Sequence, residues 1–318
     1  MMQLKWRPYQ FPLPRPLRTA GGEWHQRSGW LLRLETPDGA MGWGEAAPLP
    51  GGESWCAAAI NELAPTSDRA EIEALLPAMP APVGFALGLA LAELDGLGAK
   101  GWLPPPPSAV LLPAGEAALE ALSTALAQHQ AGPIPFTAKW KVGVLAPSTE
   151  LELLEQLLAR LPGDSRLRLD ANGAWDRATA GRWAERLQAE PRLQWLEQPL
   201  EPRDHAGLLA LQRRLPVALD ESLRHPAGAP PNWQSWRVHK PALEGDPRPL
   251  LQRLQAGAAK EMVSTVFETG IGGRAIAHLA ALAADGPSPC AAGLAPGWGP
   301  EGALASSEPQ VVWEAARP

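Results

Sequence analysis

The feature that most constrains the fold is an alternation of short apolar segments with amphipathic stretches, which begins after the four prolines at 104–107. Strand-like segments lie at 109–112, 136–142, 167–170, 193–197, 217–220, 236–240, 262–267 and 290–294. Helical stretches lie between most of them, at 117–128, 148–161, 177–190, 205–215, 248–256 and 273–284. This alternation indicates βαβ units and a parallel sheet, and eight strands favour a closed barrel over an open doubly wound sheet. The connection at 223–234 is rich in proline and has no helical period, so we expect one barrel helix to be short or missing.

The first hundred residues have a different pattern. Strand-like segments precede helical stretches there, at 3–7, 30–35 and 40–45 for the strands and at 54–63, 69–76 and 83–97 for the helices. We therefore predict an N-terminal α+β domain at 1–103, a barrel domain at 104–295 and a C-terminal tail at 296–318. The tail contains Trp298 and Trp313, which we expect to pack back on the N-terminal domain.

Composition argues against several classes of function. The net charge of −6 and the lack of a basic stripe argue against nonspecific binding of nucleic acid. Cys56 and Cys290 are too few and too far apart for a disulfide framework. The longest apolar run, 83–92, is too short to span a bilayer. We expect a cytoplasmic protein, monomer or homo-oligomer, that acts on a small molecule and has no nucleic-acid or membrane partner.

Three successive strand segments end in a carboxylate. Asp170 is followed by Ala-Asn, Glu197 by Gln-Pro and Asp220 by Glu-Ser, at intervals of 27 and 23 residues that suit one βα unit each. In a parallel barrel the carboxyl ends of the strands meet at one rim, where active sites lie. Three anionic side chains brought together there need a cation, and ligation by carboxylates alone favours Mg²⁺. Taken singly, each acid would be as well explained as a helix cap.

Three of the six lysines belong to the same rim. Lys139 and Lys141 lie two residues apart on the second strand, so their side chains point to the same face. Lys240 ends the sixth strand, on the opposite side of an eight-stranded ring. A substrate between them would meet an ammonium group on each face. This arrangement suits removal of a proton alpha to a carboxylate, because a desolvated lysine near other cations has a lowered pKa and can act as a base.

These motifs together resemble the enolase superfamily, in its muconate-lactonising-enzyme-like branch. The matching residues are Lys-x-Lys, Asp-Ala-Asn, Glu-Gln-Pro, Asp-Glu-Ser and the lysine of the sixth strand. Within that branch the o-succinylbenzoate synthase family is the most similar, in its short chain, in Arg168 two residues before the first carboxylate, and in Ser-Thr-Val-Phe-Glu-Thr-Gly-Ile-Gly at 264–272. The resemblance implies an α/β fold, a modified TIM barrel of the (β/α)7β type, with an N-terminal α+β capping domain completed by the C-terminal tail.

The resemblance also implies a reaction and a role for each residue. Members of the family dehydrate 2-succinyl-6-hydroxy-2,4-cyclohexadiene-1-carboxylate to 2-succinylbenzoate in menaquinone or phylloquinone biosynthesis. Lys141 would take the alpha proton and return it to the departing hydroxide, Lys240 would face the enolate from the other side, and Lys139 would contact the carboxylate and tune Lys141. The metal, Mg²⁺ or Mn²⁺ as its substitute, would be bound by Asp170, Glu197 and Asp220, backed by Asn172, Gln198 and Glu221.

Further residues are assigned to the substrate. Arg168, Ser264 and Gly293 would line the pocket. Backbone N–H groups at 270–273, beginning with Gly270, open the seventh barrel helix and would hold the succinyl carboxylate. In the N-terminal domain, the loop at 19–22 resembles the mobile lid of the branch, and Arg27 is a candidate for contact with a substrate anion.

Other functions are compatible with the same residues. An N-acylamino acid racemase or a dipeptide epimerase would use the two facing lysines for two-base proton exchange. Dipeptide epimerases commonly carry Asp-x-Asp on the eighth strand, whereas residues 289–296 contain no acid. Racemisation of N-acylamino acids stays open, with muconate cycloisomerisation as a lesser alternative. A barrel that binds metal or metabolite without turnover would be expected to have lost one of the core residues, and none is replaced.

Overall fold

A computed structural model describes the chain at residues 1–19, 22–130, 132 and 134–317. Residues 20 and 21 of the predicted lid loop lie outside these ranges. The described residues form an antiparallel N-terminal sheet of four strands and a parallel sheet of seven strands. Within the same ranges, no helix is long and apolar enough to cross a membrane.

The N-terminal sheet has the strand order β3-β2-β1-β4. Its strands are β1 (Met2–Thr19), β2 (Gly22–Glu35), β3 (Met41–Ala46) and β4 (Thr66–Ser67). The predicted segments at 3–7 and 30–35 are much too short, because four prolines between residues 8 and 16 do not end β1. Only residues 2 and 3 of β1 pair with β4, so most of β1 is an edge strand, where a residue without an N–H donor is tolerated.

Three helices cover one face of this sheet. They are α1 (Glu53–Asn61), α2 (Arg69–Leu75), which a 3-10 turn at Leu76–Ala78 extends, and α3 (Ala81–Leu94). Helix α3 lies against β3 so closely that a Cβ atom added at Gly42 would come within 2.0 Å of the Ala90 carbonyl oxygen. A Cβ atom at Gly44 would come within 1.9 Å of the Ala86 carbonyl oxygen. Glycine at both positions is therefore what lets the helix and the strand meet.

The parallel sheet is the wall of a barrel. Its strands, in chain order, are β5 (Val110–Leu112), β6 (Thr137–Lys141), β7 (Arg166–Asp170), β8 (Leu193–Glu197), β9 (Val217–Leu219), β10 (Trp236–His239) and β11 (Glu261–Val263). Each pairs only with its sequence neighbours. The predicted eighth strand at 290–294 forms no ladder, but parallel bridges join Ala292 to Ser108 and Gly293 to Ser264. These bridges link the two edges of the sheet and close the barrel, which confirms the predicted α/β barrel fold with an N-terminal α+β domain.

Helices surround the barrel on the outside. They are α4 (Ala117–Gln128), α5 (Pro147–Arg160), α6 (Arg177–Leu187), α7 (His205–Gln212), α8 (Glu221–Arg224), α9 (Arg248–Gln255) and α10 (Gly270–Ala284). Helix α8 is a single turn, which confirms that one barrel helix is short. The barrel interior is closed below the rim by Trp195, Ala218, Val238, Met262 and Cys290, all buried.

The C-terminal tail contacts the N-terminal sheet. After a 3-10 turn at Gly302–Ala305, helix α11 (Pro309–Ala315) places Trp313 edge-on against Trp43, with ring centroids 5.7 Å apart. The Arg7 guanidinium of β1 donates a hydrogen bond to the Trp313 carbonyl oxygen at 2.9 Å. The tail and the first sheet thereby share one apolar cluster, to which Phe267 and Ile271 of the barrel also belong.

Candidate active site

The sheet register brings the ends of β6 to β9 to one level. Lys141 pairs with Asp170, Asp170 with Glu197, and Glu197 with Ala218. Asp220 therefore lies two residues beyond the level of Glu197, toward the rim. Because side chains two residues apart share a face, Lys139 points to the same side as Lys141. The predicted carboxylates and lysines therefore meet at the carboxyl end of the barrel.

Lysine ammonium groups lie between the carboxylates. The Nζ atom of Lys139 is 2.8 Å from Asp170 Oδ2 and 2.6 Å from Glu197 Oε1. On the other side of the ring, Lys240 Nζ is 2.5 Å from Asp220 Oδ2. Burial alone would lower the pKa values of Lys139 and Lys240, but the adjacent carboxylates raise both of them. These two lysines are therefore held protonated.

Lys141 differs from its two neighbours. In the part of the chain that the structure describes, its ammonium group makes no hydrogen bond and no ion pair. Burial lowers the pKa of Lys141, and the positive charges of Lys139 and Lys240 lower it further, against the opposing effect of Asp170. A lysine that is half-buried, unpaired and close to two cations is the one suited to give and take a proton.

Each buried carboxylate has a second donor. The Trp195 indole N–H donates to Glu197 Oε2 at 3.2 Å, and Arg224 donates to Asp220 Oδ1 at 2.7 Å. Burial would raise the pKa of Asp220, but Lys240 and Arg224 hold it well below its usual range. Neither Trp195 nor Arg224 was among the predicted site residues. Arg224 lies four residues after Asp220, which is one helical turn, and that spacing was the available signal.

The residues predicted to lie behind the ligands support the strand ends. Gln198 Oε1 accepts from the main-chain N–H groups of Asp220 and Ser222, at 3.2 and 3.0 Å. Asn172 Nδ2 donates to Glu221 Oε1 at 3.2 Å. Asn172 and Gln198 both have positive φ, at 46° and 36°, which is uncommon for residues other than glycine. Backbone strain of this kind concentrates at functional sites.

The donor set at this rim fits a hard divalent cation. Three carboxylates end neighbouring strands, and two further buried oxygens, Asn172 Oδ1 and Glu221 Oε2, have no hydrogen-bond partner among the residues that the structure describes. Burial and the negative charge of Asp220 raise the pKa of Glu221 to about 7, against the opposing effect of Lys240 and Arg224. In the arrangement described, no three acidic, histidine or cysteine side chains of the described residues are gathered closely enough to hold an ion. Lys139 bridges Asp170 and Glu197 instead.

Arg168 lies below the site rather than in the pocket. Its side chain is fully buried inside the barrel, with the guanidinium carbon 4.0 Å from the Trp195 ring centroid. It donates to Gln194 Oε1 at 2.8 Å and to the Ala291 carbonyl oxygen at 2.6 Å. Burial lowers the pKa of Arg168 to about 10. Because it stacks beneath the residue that donates to Glu197, Arg168 supports a predicted ligand, and its contact with substrate stays a prediction.

Three of the four N–H groups at 270–273, which were predicted to hold a substrate carboxylate, donate to acceptors of the protein, and the contact of Gly270 with substrate stays a prediction. Glu45, at the end of β3, accepts from the main-chain N–H groups of Thr269 and Gly272, both at 2.8 Å. The Gly273 N–H donates within the helix, and a Cβ atom at Gly270 would lie 1.8 Å from the Ser306 carbonyl oxygen. The helix terminus is thus filled by a carboxylate of the N-terminal domain. Sequence reasoning missed Glu45, although it is the one acid in the otherwise apolar segment 40–50.

Arg27 and the predicted pocket residues of the last two strands also have definite places. The Arg27 guanidinium is buried and donates to the carbonyl oxygens of Val266, Pro48 and Ala47, so it joins the domains and is not available to a substrate anion. Ser264 Oγ donates to the Gly293 carbonyl oxygen at 3.0 Å. These two residues lie together at the rim, and their contact with substrate stays a prediction.

Comparison with known proteins places the chain in a family. The Enolase C-terminal domain-like family model matches residues 121–235. An o-succinylbenzoate synthase from Thermosynechococcus vestitus is 39% identical over 296 residues, which cover 87% of this chain and 88% of the relative. An o-succinylbenzoate synthase from Escherichia coli is 32% identical over 267 residues, which cover 78% and 80%.

Solved structures agree with these relatives. The crystal structure of o-succinylbenzoate synthase from Thermosynechococcus elongatus, complexed with Mg in the active site, has a TM-score of 0.79 and 33% identity, over 98% of this chain and 99% of that one. The L-Ala-D/L-Glu epimerase from Bacillus subtilis has a TM-score of 0.71 at 22% identity, over 95% and 91%. At that identity the epimerase shows the fold alone. The chain belongs to the o-succinylbenzoate synthase family of the enolase superfamily.

Proposed function

We propose that this chain is an o-succinylbenzoate synthase, a carbon–oxygen lyase that dehydrates 2-succinyl-6-hydroxy-2,4-cyclohexadiene-1-carboxylate to 2-succinylbenzoate in menaquinone or phylloquinone biosynthesis. One observation carries the proposal. The unpaired Lys141 and the carboxylate-bound Lys240 end strands on opposite sides of a ring that also carries three buried carboxylates. The identity with synthases over most of the chain supports the choice of substrate.

Lys141 is the proposed base and acid. As a neutral amine it takes the proton from the carbon that bears the ring carboxylate, and the electrons of that C–H bond pass into the carboxylate. They return to form the new ring double bond as the C–O bond breaks. Lys141 then gives the same proton to the departing hydroxide, so that water leaves and the ring becomes aromatic. A lowered pKa suits a group that must be neutral at the start and charged in between.

Lys240 and Lys139 supply fixed positive charge. Both stay protonated because carboxylates raise their pKa values. Lys240 faces the charge that develops on the substrate from the side opposite Lys141. Lys139 contacts two carboxylates and lowers the pKa of Lys141 through its charge. Charge fixed in place before the reaction stabilises a transition state without the cost of reorganisation.

The proposed metal ligands are Asp170, Glu197 and Asp220, with Asn172 and Glu221 offering further buried oxygens. The Mg complex of the Thermosynechococcus elongatus synthase supports Mg²⁺, and Mn²⁺ is proposed as a substitute. When bound, the cation would supply positive charge against the negative charge that develops on the ring carboxylate as the proton leaves. The compartment proposed for the reaction is the cytoplasm, in keeping with two buried free thiols, Cys56 and Cys290.

Turnover of the cyclohexadiene by the purified chain with Mg²⁺ is the direct test, followed through the absorbance of the aromatic product. A panel of N-succinyl amino acids is assayed beside it, with exchange of the alpha proton in deuterium oxide as the readout. A higher kcat/KM for dehydration than for any exchange supports the synthase. Faster exchange than dehydration would instead favour the N-acylamino acid racemase, and turnover of neither would contradict catalysis on this class of acid.

A further inference from the structure

A second cluster of charged residues, built on the buried side chains of His239 and Glu261, lies on the outer face of the barrel wall, directly behind Lys240. His239 precedes Lys240 on the strand, so its side chain points to the opposite face. The side chain is buried, and both ring nitrogens contact carboxylates: Nδ1 is 2.6 Å from Glu244 Oε2, and Nε2 is 2.6 Å from Glu261 Oε2. Apolar residues such as Val263 and Leu250 pack in this layer, so the buried charges of His239 and Glu261 need a reason.

The cluster ends at the backbone of Lys240. Glu244 follows the 3-10 turn Pro241–Leu243, which folds its carboxylate back so that Oε1 accepts from the Lys240 main-chain N–H at 2.7 Å. At the other end, Arg253 of α9 donates to Glu261 Oε1, and Arg237 lies 3.8 Å from the same atom. Positive and negative groups thus alternate from Arg253 through Glu261, His239 and Glu244 to the N–H of Lys240.

We propose that Glu244, held by His239, is a positioning residue for Lys240. The carboxylate fixes the backbone at the point where β10 ends and the lysine side chain turns toward Asp220. One oxygen of Glu244 accepts from the Lys240 main-chain N–H, and the other contacts Nδ1 of His239. Glu261 contacts Nε2 on the opposite side of the imidazole ring. Charge-assisted hydrogen bonds of this kind are shorter and stronger than neutral ones. The contacts of His239 with two carboxylates also raise its pKa to about 9, against the effect of burial, so the alternation of charge persists at neutral pH.

The inference rests on the proposed dehydration, in which Lys240 faces the reacting centre. A misplacement of that ammonium weakens the transition state more than the bound substrate, so kcat falls while KM changes little. A purely structural role would lower stability and leave kcat unchanged for the folded protein. Separate measurement of kcat and of KM for the folded variants therefore distinguishes the two roles.

The experiment compares Glu244→Ala, Glu244→Gln and His239→Gln with the parent protein, in Mg²⁺ and at a temperature where circular dichroism shows each to be folded. Glu190→Ala is the matched control, because Glu190 pairs with Arg192 at 2.6 Å before β8, at the end of the barrel away from the site. We expect kcat to fall about tenfold in Glu244→Ala and about threefold in His239→Gln, with KM within about twofold of the parent. Glu244→Gln keeps the acceptor for the Lys240 N–H and should restore most of kcat.

A kcat for Glu244→Ala that matches Glu190→Ala would overturn the proposal, as would equal losses in Glu244→Ala and Glu244→Gln. If Glu244→Ala does not fold, the result for His239→Gln decides, and an unchanged kcat there contradicts the positioning role. Turnover by the parent protein is measured in the same assay. No turnover by the parent would count against the proposed function, whereas the ratios among the variants test only the role of Glu244.

Discussion

The two lysine-bearing strand ends of the site hold their ammonium groups in different ways. At the end of β6, Lys139 is bound by two carboxylates, and Lys141 has no partner among the described residues. At the end of β10, Lys240 is bound by Asp220, and its backbone is bound by Glu244. Burial lowers the pKa of Lys141, whereas Asp220 raises the pKa of Lys240. The β6 side can therefore exchange a proton, and the β10 side presents a fixed charge.

Removal of divalent metal tests the proposed metal site, which lies between the lysines of β6 and the lysine that follows β10. A chelator should reduce turnover to background, because the positive charge that stabilises the developing negative charge on the ring carboxylate is lost. The chain should stay folded, since the three carboxylates are already paired with three cations, Lys139, Lys240 and Arg224, in the structure described. Turnover and circular dichroism measured on the same sample check both statements. Mg²⁺ should restore activity, and Mn²⁺ should do so as well. Full turnover in excess chelator would contradict a role of the metal in catalysis. Unfolding in chelator would contradict the statement that the paired cations keep the metal-free chain folded.

The sequence alone predicts those residues of the site whose positions follow from the regular spacing of the strands. The carboxylates and lysines end regularly spaced strands, so the βα repeat alone predicts that they meet. It could not predict that the eighth strand would form only bridges, because 290–294 has the same apolar pattern as strands that form ladders. The repeat also gives no information on contacts made across the fold. Glu45 reaches the helix terminus at Gly272 over 227 residues of chain, and so a site that looked open for substrate is filled.

The same limit applies to residues inside the barrel. Alternation places Arg168 on the inner face of β7, but it does not say that Trp195 and Ala291 enclose the guanidinium. Arg224 was missed because it lies in a segment without a helical period, although one helical turn is enough to bring it to Asp220. Local sequence patterns do not show which polar groups pair with one another in the folded chain.

Replacement of the unpaired lysine should have the largest effect among the variants. Lys141→Ala removes the group that exchanges the proton, and general acid–base catalysis of this kind contributes about a thousandfold to the rate. We expect a loss of that order in kcat, with binding of Mg²⁺ unchanged in titration calorimetry. Lys100→Ala, which removes an exposed lysine, is the matched control. Parent-like turnover in Lys141→Ala would reverse the assignment of the two sides.

Replacement of Lys240, the paired lysine, should lower kcat less than replacement of Lys141 does. It should also raise the pKa of Lys141. Lys240→Ala removes a fixed charge from the substrate, for which we expect a loss of about a hundredfold in kcat. In the parent, kcat/KM should rise with pH as Lys141 loses its proton. Because the Lys240 charge lowers the pKa of Lys141, the variant should show this rise at higher pH. A pH–rate profile of kcat/KM measures the shift, and a rise that stays at the parent's pH would show that the two lysines do not interact.

Replacement of the donors behind the carboxylates should have smaller effects than replacement of either lysine, and the effects should differ between the two sides. Trp195 offers Glu197 a neutral N–H, whereas Arg224 offers Asp220 a charged one. A hydrogen bond with a charged donor is roughly twice as strong as a neutral pair, and a neutral one contributes about 1 kcal/mol. Trp195→Phe should therefore lower kcat/KM about fivefold, and Arg224→Met should lower it about thirtyfold. Mg²⁺ titration of both variants shows whether the loss lies in metal affinity or in turnover of the saturated protein. An equal loss of kcat/KM in the two variants would contradict this difference. It would mean that each donor only holds its carboxylate in position, and that the positive charge of Arg224 does not contribute to kcat/KM.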